Sequence, residues 1–420
     1  MRKLSIIFVL WLAAASSVYA QPLVNGFVEG IQAVRVEKNA ALGDGELGDR
    51  SYPRSELRAQ MRAEGFSDRG SFFLRVDFVS DATAASRSDV DLREAYIKAK
   101  LAEWLDLKLG RQVATWGTGD LIFANDLFAK DWEAFFTGLD DTYLKPPQDL
   151  LRASVYLGRV TVEVAASPYF TPDNLPDGSR LSVYNPFPPF MGAVGSDHAP
   201  MIHRPSKTLR NGEVFGRVTG TRGSAEWALY GYKGFWPTPQ GATMEGVLYY
   251  PRLWSTGASL RAPIGAFLAH AEAAAYISQE DTDGTDPGIA NSQVRGFAGL
   301  EKSLGSEWTA TVQYYGEFML DYDLYTAGLP PGAPSFDEFR STITARLNKF
   351  MRDQTVQLVL FGYWGVSDKD WHARPSLTYK LSDAIGLTAG ASLIGGDQPY
   401  TMFGQFRDNS NVFTRVRYSF

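Results

Sequence analysis

The chain has 420 residues with no Cys, 21% charged and 13% aromatic side chains, 40 Gly and a net charge of −6. Without Cys there is no disulfide scaffold, thiolate metal site or cysteine nucleophile, and the negative charge argues against nucleic acid as a partner. No stretch beyond the N-terminus carries the roughly 18 consecutive apolar residues of a spanning helix, and 45% apolar residues with no Gly period exclude collagen-like and disordered classes.

Arg2 and Lys3 precede an apolar run over 4–15, followed by Ser16, Ser17 and Val18-Tyr19-Ala20. This order of positive, apolar and small residues predicts a secretory signal peptide over 1–20 and one mature domain over 21–420. A single membrane anchor is the alternative, but the run is short and lacks a stop-transfer flank.

From Gln21 onward, apolar and polar residues alternate, the period of a strand with two unlike faces. Phe72-Phe73-Leu74-Arg75-Val76-Asp77-Phe78 and Trp308-Thr309-Ala310-Thr311-Val312-Gln313-Tyr314 are typical. The pattern predicts strands over 23–37, 54–65, 71–80, 91–101, 104–116, 149–158, 159–167, 212–222 and 224–235. The second half continues with 247–262, 265–279, 293–304, 307–320, 338–349, 354–366, 371–381, 385–395 and 410–420. Tight turns such as Ser67-Asp68-Arg69-Gly70 and Arg222-Gly223-Ser224 alternate with longer connections at 38–53, 81–90, 117–148, 168–211, 236–246, 280–292, 321–337 and 396–409. The expected fold is all-β: a transmembrane antiparallel β-barrel of about eighteen strands, with short periplasmic turns and long extracellular loops. A soluble sandwich or propeller also alternates, but its strands are typically about 5 or 6 residues long. Trp104, Trp227 and Trp308 at one set of strand ends, and Phe78, Trp116, Phe318 and Trp364 at the other, are expected to form two interfacial girdles.

The terminal Arg417-Tyr418-Ser419-Phe420 resembles the C-terminal signature of Gram-negative outer-membrane, porin-like β-barrels. That resemblance implies recognition by the barrel-assembly machinery through Phe420, in a membrane of lipid and lipopolysaccharide. Leu109-Gly110-Arg111-Gln112, followed by Trp116-Gly117-Thr118-Gly119-Asp120-Leu121-Ile122 and Asp131-Trp132, resembles part of the alginate-export family over about 30 residues, and implies a polysaccharide cargo. From the residues themselves, Gly110 and Gly117 would bend the fifth strand, and Arg111 interrupts its apolar parity as a bulge does.

Alternation assigns the inward side chains. Candidate pore-lining bases are Arg58, Arg62, Arg75, Lys98, Lys100, Lys108, Arg152, Arg217, Arg295, Arg346, Arg374, Arg415 and Arg417, with Arg261, Arg340 and Lys380 on the same parity. They outnumber the inward acids, among them Glu56, Glu64, Asp77, Glu94, Asp106, Glu163, Glu272, Glu301 and Glu317. A basic lumen concentrates anions; cross-strand pairing would instead stiffen the wall. The aromatic stretch 117–148 and the Pro-rich 168–211 either fold inward and narrow the barrel or pack on one another above its rim. The run Asp281 to Asp286 opens like a calcium loop but has Ser292 where the twelfth-position Glu belongs. His198 and His203 share a loop with no third ligand, and no hydrolase motif is present. The sequence thus points to a channel for small polar, anion-leaning solutes, with no enzyme activity and no cofactor. Alternatives are export of an anionic polysaccharide, a scaffold barrel, or a hydrolase at the rim.

Overall fold

The structure, a computed structural model, describes residues 22–37, 39–42, 52–83, 88–305, 307–330 and 333–420. The expected signal peptide and parts of the connections 38–53, 81–90 and 321–337 lie outside them. Eighteen strands follow one another: β1 (Leu23–Arg35), β2 (Arg54–Ser67), β3 (Gly70–Asp81), β4 (Asp89–Ala102), β5 (Leu105–Gln112), β6 (Gln148–Leu157), β7 (Val160–Ser167), β8 (Glu213–Arg222) and β9 (Ala225–Phe235). The second half comprises β10 (Arg252–Ile264), β11 (Phe267–Ser278), β12 (Gln293–Gly305), β13 (Trp308–Met319), β14 (Phe339–Met351), β15 (Val356–Gly365), β16 (Asp370–Lys380), β17 (Ile385–Gly396) and β18 (Asn411–Ser419).

Each strand pairs antiparallel with its chain neighbours, and β18 returns to pair with β1. The sheet is closed, so no edge exposes unpaired backbone groups to lipid. Closure extends to the last residue: the Gly26 amide donates to the Phe420 carbonyl at 2.9 Å, and the Phe420 amide to Gly26 at 3.0 Å.

The period-two sequence sorts the two faces. Leu57, Met61, Leu229, Leu260, Val312 and Leu360 stand exposed on the outer wall, while Glu29, Arg58, Asp77, Gln313, Thr344 and His372 are buried inside. That is the distribution lipid outside and polar contents inside require. Phe78, Trp104, Phe318 and Trp364 are exposed near strand ends. Trp116 belongs to no girdle: it is buried inside the barrel.

Two further sequence expectations fail locally. The fifth strand stops at Gln112 rather than 116, and the tenth begins at Arg252 rather than 247. In the first case the chain turns into the lumen. In the second, Leu248–Tyr249 pairs with Ile202–His203 in a small separate sheet. Nor does Arg111 mark a bulge. Its register with Ala95 is regular, and the irregularities fall at Arg75/Val76 and Lys100/Ala102. Arg111 stays on the outer parity at the strand end, donating to the Leu92 carbonyl at 2.7 Å.

Candidate functional site: the lumen and its inward segment

The segment 113–147, between β5 and β6, runs through the barrel rather than over it. Its departure is built by the end of β5. Gly110 has φ +129°, and a Cβ there would collide with the Ala95 carbonyl oxygen. Gln112 is fully buried and donates to the Leu150 carbonyl at 3.0 Å. Trp116 then packs edge-on against Phe128 and Phe215, with centroids 5.2 and 6.2 Å away. The Gly-Arg-Gln stretch and following Trp are therefore the point at which the chain leaves the wall.

Inside a barrel, a non-strand segment must find partners for its own backbone groups. The inner wall supplies them around much of its circumference. The Thr118 amide donates to the Glu272 carboxylate. The Asp120 amide donates to Gln313 Oε1 at 2.8 Å, and Gln313 Nε2 donates back to the Asp120 carbonyl at 2.9 Å. Tyr276 and Tyr363 hydroxyls each donate, at 2.7 Å, to the carbonyls of Ala124 and Leu121. A short helix, α1 (Trp132–Phe136), is capped by Asp131, which accepts from the Ala134 amide at 2.8 Å. Its Phe135 and Phe136 close on His372 with Phe403 and Phe406. Asn411 on β18 donates to the Phe136 carbonyl at 3.0 Å.

The segment's acids meet wall bases. Asp120 receives Arg346 at 2.5 and 2.9 Å, Asp141 receives Arg374 at 2.7 Å, and Asp140 receives Arg415 at 3.2 Å. Burial pushes the Asp140 carboxyl up, but Arg415, the Thr142 amide and hydroxyl, and Arg417 outweigh it and hold it below its ordinary value. The connection 168–212 packs behind: Arg180 pairs with Asp81 and, at 3.2 Å, with Glu133. Asn409 ties Ser182 to Asn39. There, burial pushes Asp173 up to about 6, against the pull of Lys130.

By register, all the candidate bases share the inner parity, yet almost all of them meet a carboxylate. Arg58 bonds Asp77 at 2.5 Å and Glu56 at 2.6 Å, Arg62 bonds Glu64 at 2.8 Å, and Arg75 bonds Glu94 at 2.5 Å. Lys98 reaches Asp106 and Lys100 reaches Glu103, each at 2.7 Å. Arg152, at 3.1 Å, and Arg217 share Glu163. Arg295 pairs with Glu317 at 3.2 Å and Arg417 with Glu29 at 2.8 Å. Lys108 differs. It lies directly opposite Lys98 on β4 and Arg152 on β6, and its ammonium stands 3.6 Å over the Tyr96 ring with no carboxylate partner among the described residues.

Among the described residues no group of three His, Asp or Glu could hold a metal ion. Asp281 accepts from the Thr285 amide at 3.0 Å, closing that run on itself. His198 stacks on Phe190 at 4.0 Å. Among the described residues one His–hydroxyl pair occurs, His372 Nε2 with Ser392 Oγ at 2.8 Å, but both residues are sealed in the wall under aromatic rings. Sequence reasoning singled out neither this pair nor the anchors Gln313, Tyr276 and Tyr363. Their inward parity was legible; that they hold a loop was not.

No protein-family profile and no curated protein matches the sequence, so the local likeness to the alginate-export family gains no support. Solved structures do resemble the fold. Pseudomonas aeruginosa OccK11 (OpdR) superposes with TM-score 0.54 at 12% identity, over 96% of this chain and 99% of that one. OccK3 (OpdO) of the same organism gives 0.55 at 10% identity over 98% of both chains. OccK2 (OpdF), also from P. aeruginosa, gives 0.55 at 11% identity over 95% of this chain and 97% of that one. The chain has the fold of the Gram-negative outer-membrane porins.

Proposed function

We propose that the protein is an outer-membrane channel through which small polar solutes diffuse, with a mild preference for anions. The observation that carries the reading is charge kept wet inside an otherwise lipid-facing barrel. Below the inward segment, the side chains of Arg62 and Lys98 are 40% and 47% exposed, facing the interior. An apolar fill would have no use for such groups, whereas a water-filled lumen does. The inward segment, anchored on opposite walls, sets the width of the passage.

The mild anion preference rests on the row Lys98, Lys108 and Arg152. Like charges directly opposite one another destabilise a sheet, so an unneutralised member of such a row is retained at a cost. Along most of the remaining wall, bases are paired with carboxylates, which weakens the field there. For the same reason the lumen is poorly suited to exporting an anionic polysaccharide, which needs an unbroken basic track. A scaffold role would require the lumen to be filled by another polypeptide, and this chain's own segment occupies it. A hydrolase would need a reachable nucleophile, and the His372–Ser392 pair is sealed. Outer-membrane lipid and lipopolysaccharide would contact the apolar wall, and Phe420, exposed beside Tyr418, would present the signal read by the barrel-assembly machinery.

The test is the reversal potential of the purified protein in a planar bilayer under a salt gradient. A small potential of anion-selective sign is expected. Strong cation selectivity would contradict the basic row, and absence of current would contradict the channel.

A further inference from the structure

Beneath residues 118–120, the inner wall from β10 to β14 lines a half-open cavity of about 410 Å³. That volume lies within the usual range for small-molecule sites, roughly 300–1,000 Å³. Its charges differ from those of the rest of the lumen. Arg261 and Glu301 both line it, and among the described residues neither has an ion-pair or hydrogen-bond partner. Arg346 and Asp120, also on its lining, are already committed to each other.

His270 stands between the two free charges. It lies directly opposite Arg261 on β10, and its β11 neighbour Leu268 lies opposite Glu301 on β12. His270 is buried, and its Nδ1 lies 3.0 Å from the Thr118 carbonyl oxygen. A carbonyl only accepts, so Nδ1 carries the proton and, in the neutral ring, Nε2 is left as an acceptor. That Nε2 has no hydrogen-bond partner and is buried against Gly299, out of reach of a solute. Room for the ring exists because residue 299 is glycine: a Cβ there would collide with Nε2.

We propose that this cavity is a binding subsite for small zwitterions that carry both a carboxylate and an ammonium group. The carboxylate pairs with Arg261, and the ammonium donates to Glu301. One strand separates β10 from β12, so the two backbones stand roughly 10 Å apart at the usual spacing of about 4.8 Å per strand. The long side chains of Arg261 and Glu301 close that distance to the size of an amino acid. A solute with one charge leaves the opposite group unpaired, and a neutral polyol leaves both. The proposal rests on the channel reading above and names a solute class for it.

Saturation-transfer NMR on the folded, detergent-solubilised full chain tests it with L-serine, N-acetyl-L-serine and L-serinamide. Serine is expected to bind saturably, and the two analogues, each lacking one charge, at least tenfold more weakly. Arg261→Gln should abolish the advantage of serine over serinamide, and Glu301→Gln its advantage over N-acetyl-serine. Equal signals from the three ligands, or unchanged preferences in both variants, would overturn the subsite. The comparison of ligands uses the unaltered protein, so a misfolded variant cannot decide the outcome. Conductance in salt alone reports separately on the channel. A conducting barrel that does not distinguish serine sinks only the subsite, while a silent barrel that binds serine sinks only the channel.

Discussion

Lys108 is the inner-wall base whose environment best separates two uses of charge. Its neighbours Lys98 and Arg152 each have a carboxylate at 2.7 and 3.1 Å, while Lys108 is met only by the Tyr96 ring. A cation over an aromatic face is stabilised modestly and keeps its charge available to a passing anion. Lys108→Glu would place a carboxylate between Lys98 and Arg152 and complete the neutralisation of the row. The reversal potential should then move toward the cation side with little change in single-channel conductance. An unmoved potential would show that the row does not set selectivity. Period two assigns each of these bases to the inward parity, because one face of every strand must meet lipid. It does not assign their pairing, since Arg and Glu interleave on neighbouring strands and only register decides which meet.

At the scale of elements, the inward segment is held by many polar contacts and a few aromatic clusters, with Asp140 at one end. Its carboxyl is depressed below the ordinary 3.8, so its contribution to docking is fully present above that value and is lost as pH falls through the lowered one. Asp173, raised to about 6, has the opposite sign: its contribution is complete below 3.8 and is lost as pH rises through 6. Current noise from segment motion should therefore grow as the pH falls below about 4, in step with the loss of Asp140 charge. In Asp140→Asn that noise should already be present at neutral pH and change little on acidification. Noise identical in the two proteins across that range would remove Asp140 from the anchor. The strands were legible to within a few residues, apart from the two ends where polar alternation continues beyond the wall. Past Gln112 the chain leaves the wall, and Trp116 packs inside with Phe128 and Phe215. An aromatic-rich loop has the same composition whether it fills a lumen or caps a rim, so its inward course could not be read from the sequence alone.

Across the whole molecule, two opposed faces explain a chain that is neither soluble-looking nor hydrophobic overall. Lipid on the outer wall has a checkable consequence. Leu229, exposed midway along β9, should tolerate Ala, while Leu229→Arg should destabilise the barrel by about 2–4 kcal/mol if it sits near the bilayer midplane. Urea unfolding in lipid vesicles measures the difference; a cost near zero would mean that this face does not contact hydrocarbon. The central claim is that the barrel is an aqueous channel whose width the inward segment sets. Its most direct test is single-channel conductance in a planar bilayer, before and after residues 121–142 are replaced by a short Gly-Ser link. The account predicts a small, steady conductance for the native chain and a several-fold larger one for the shortened chain. Equal conductances would contradict the constriction, and silence from both would contradict the channel itself.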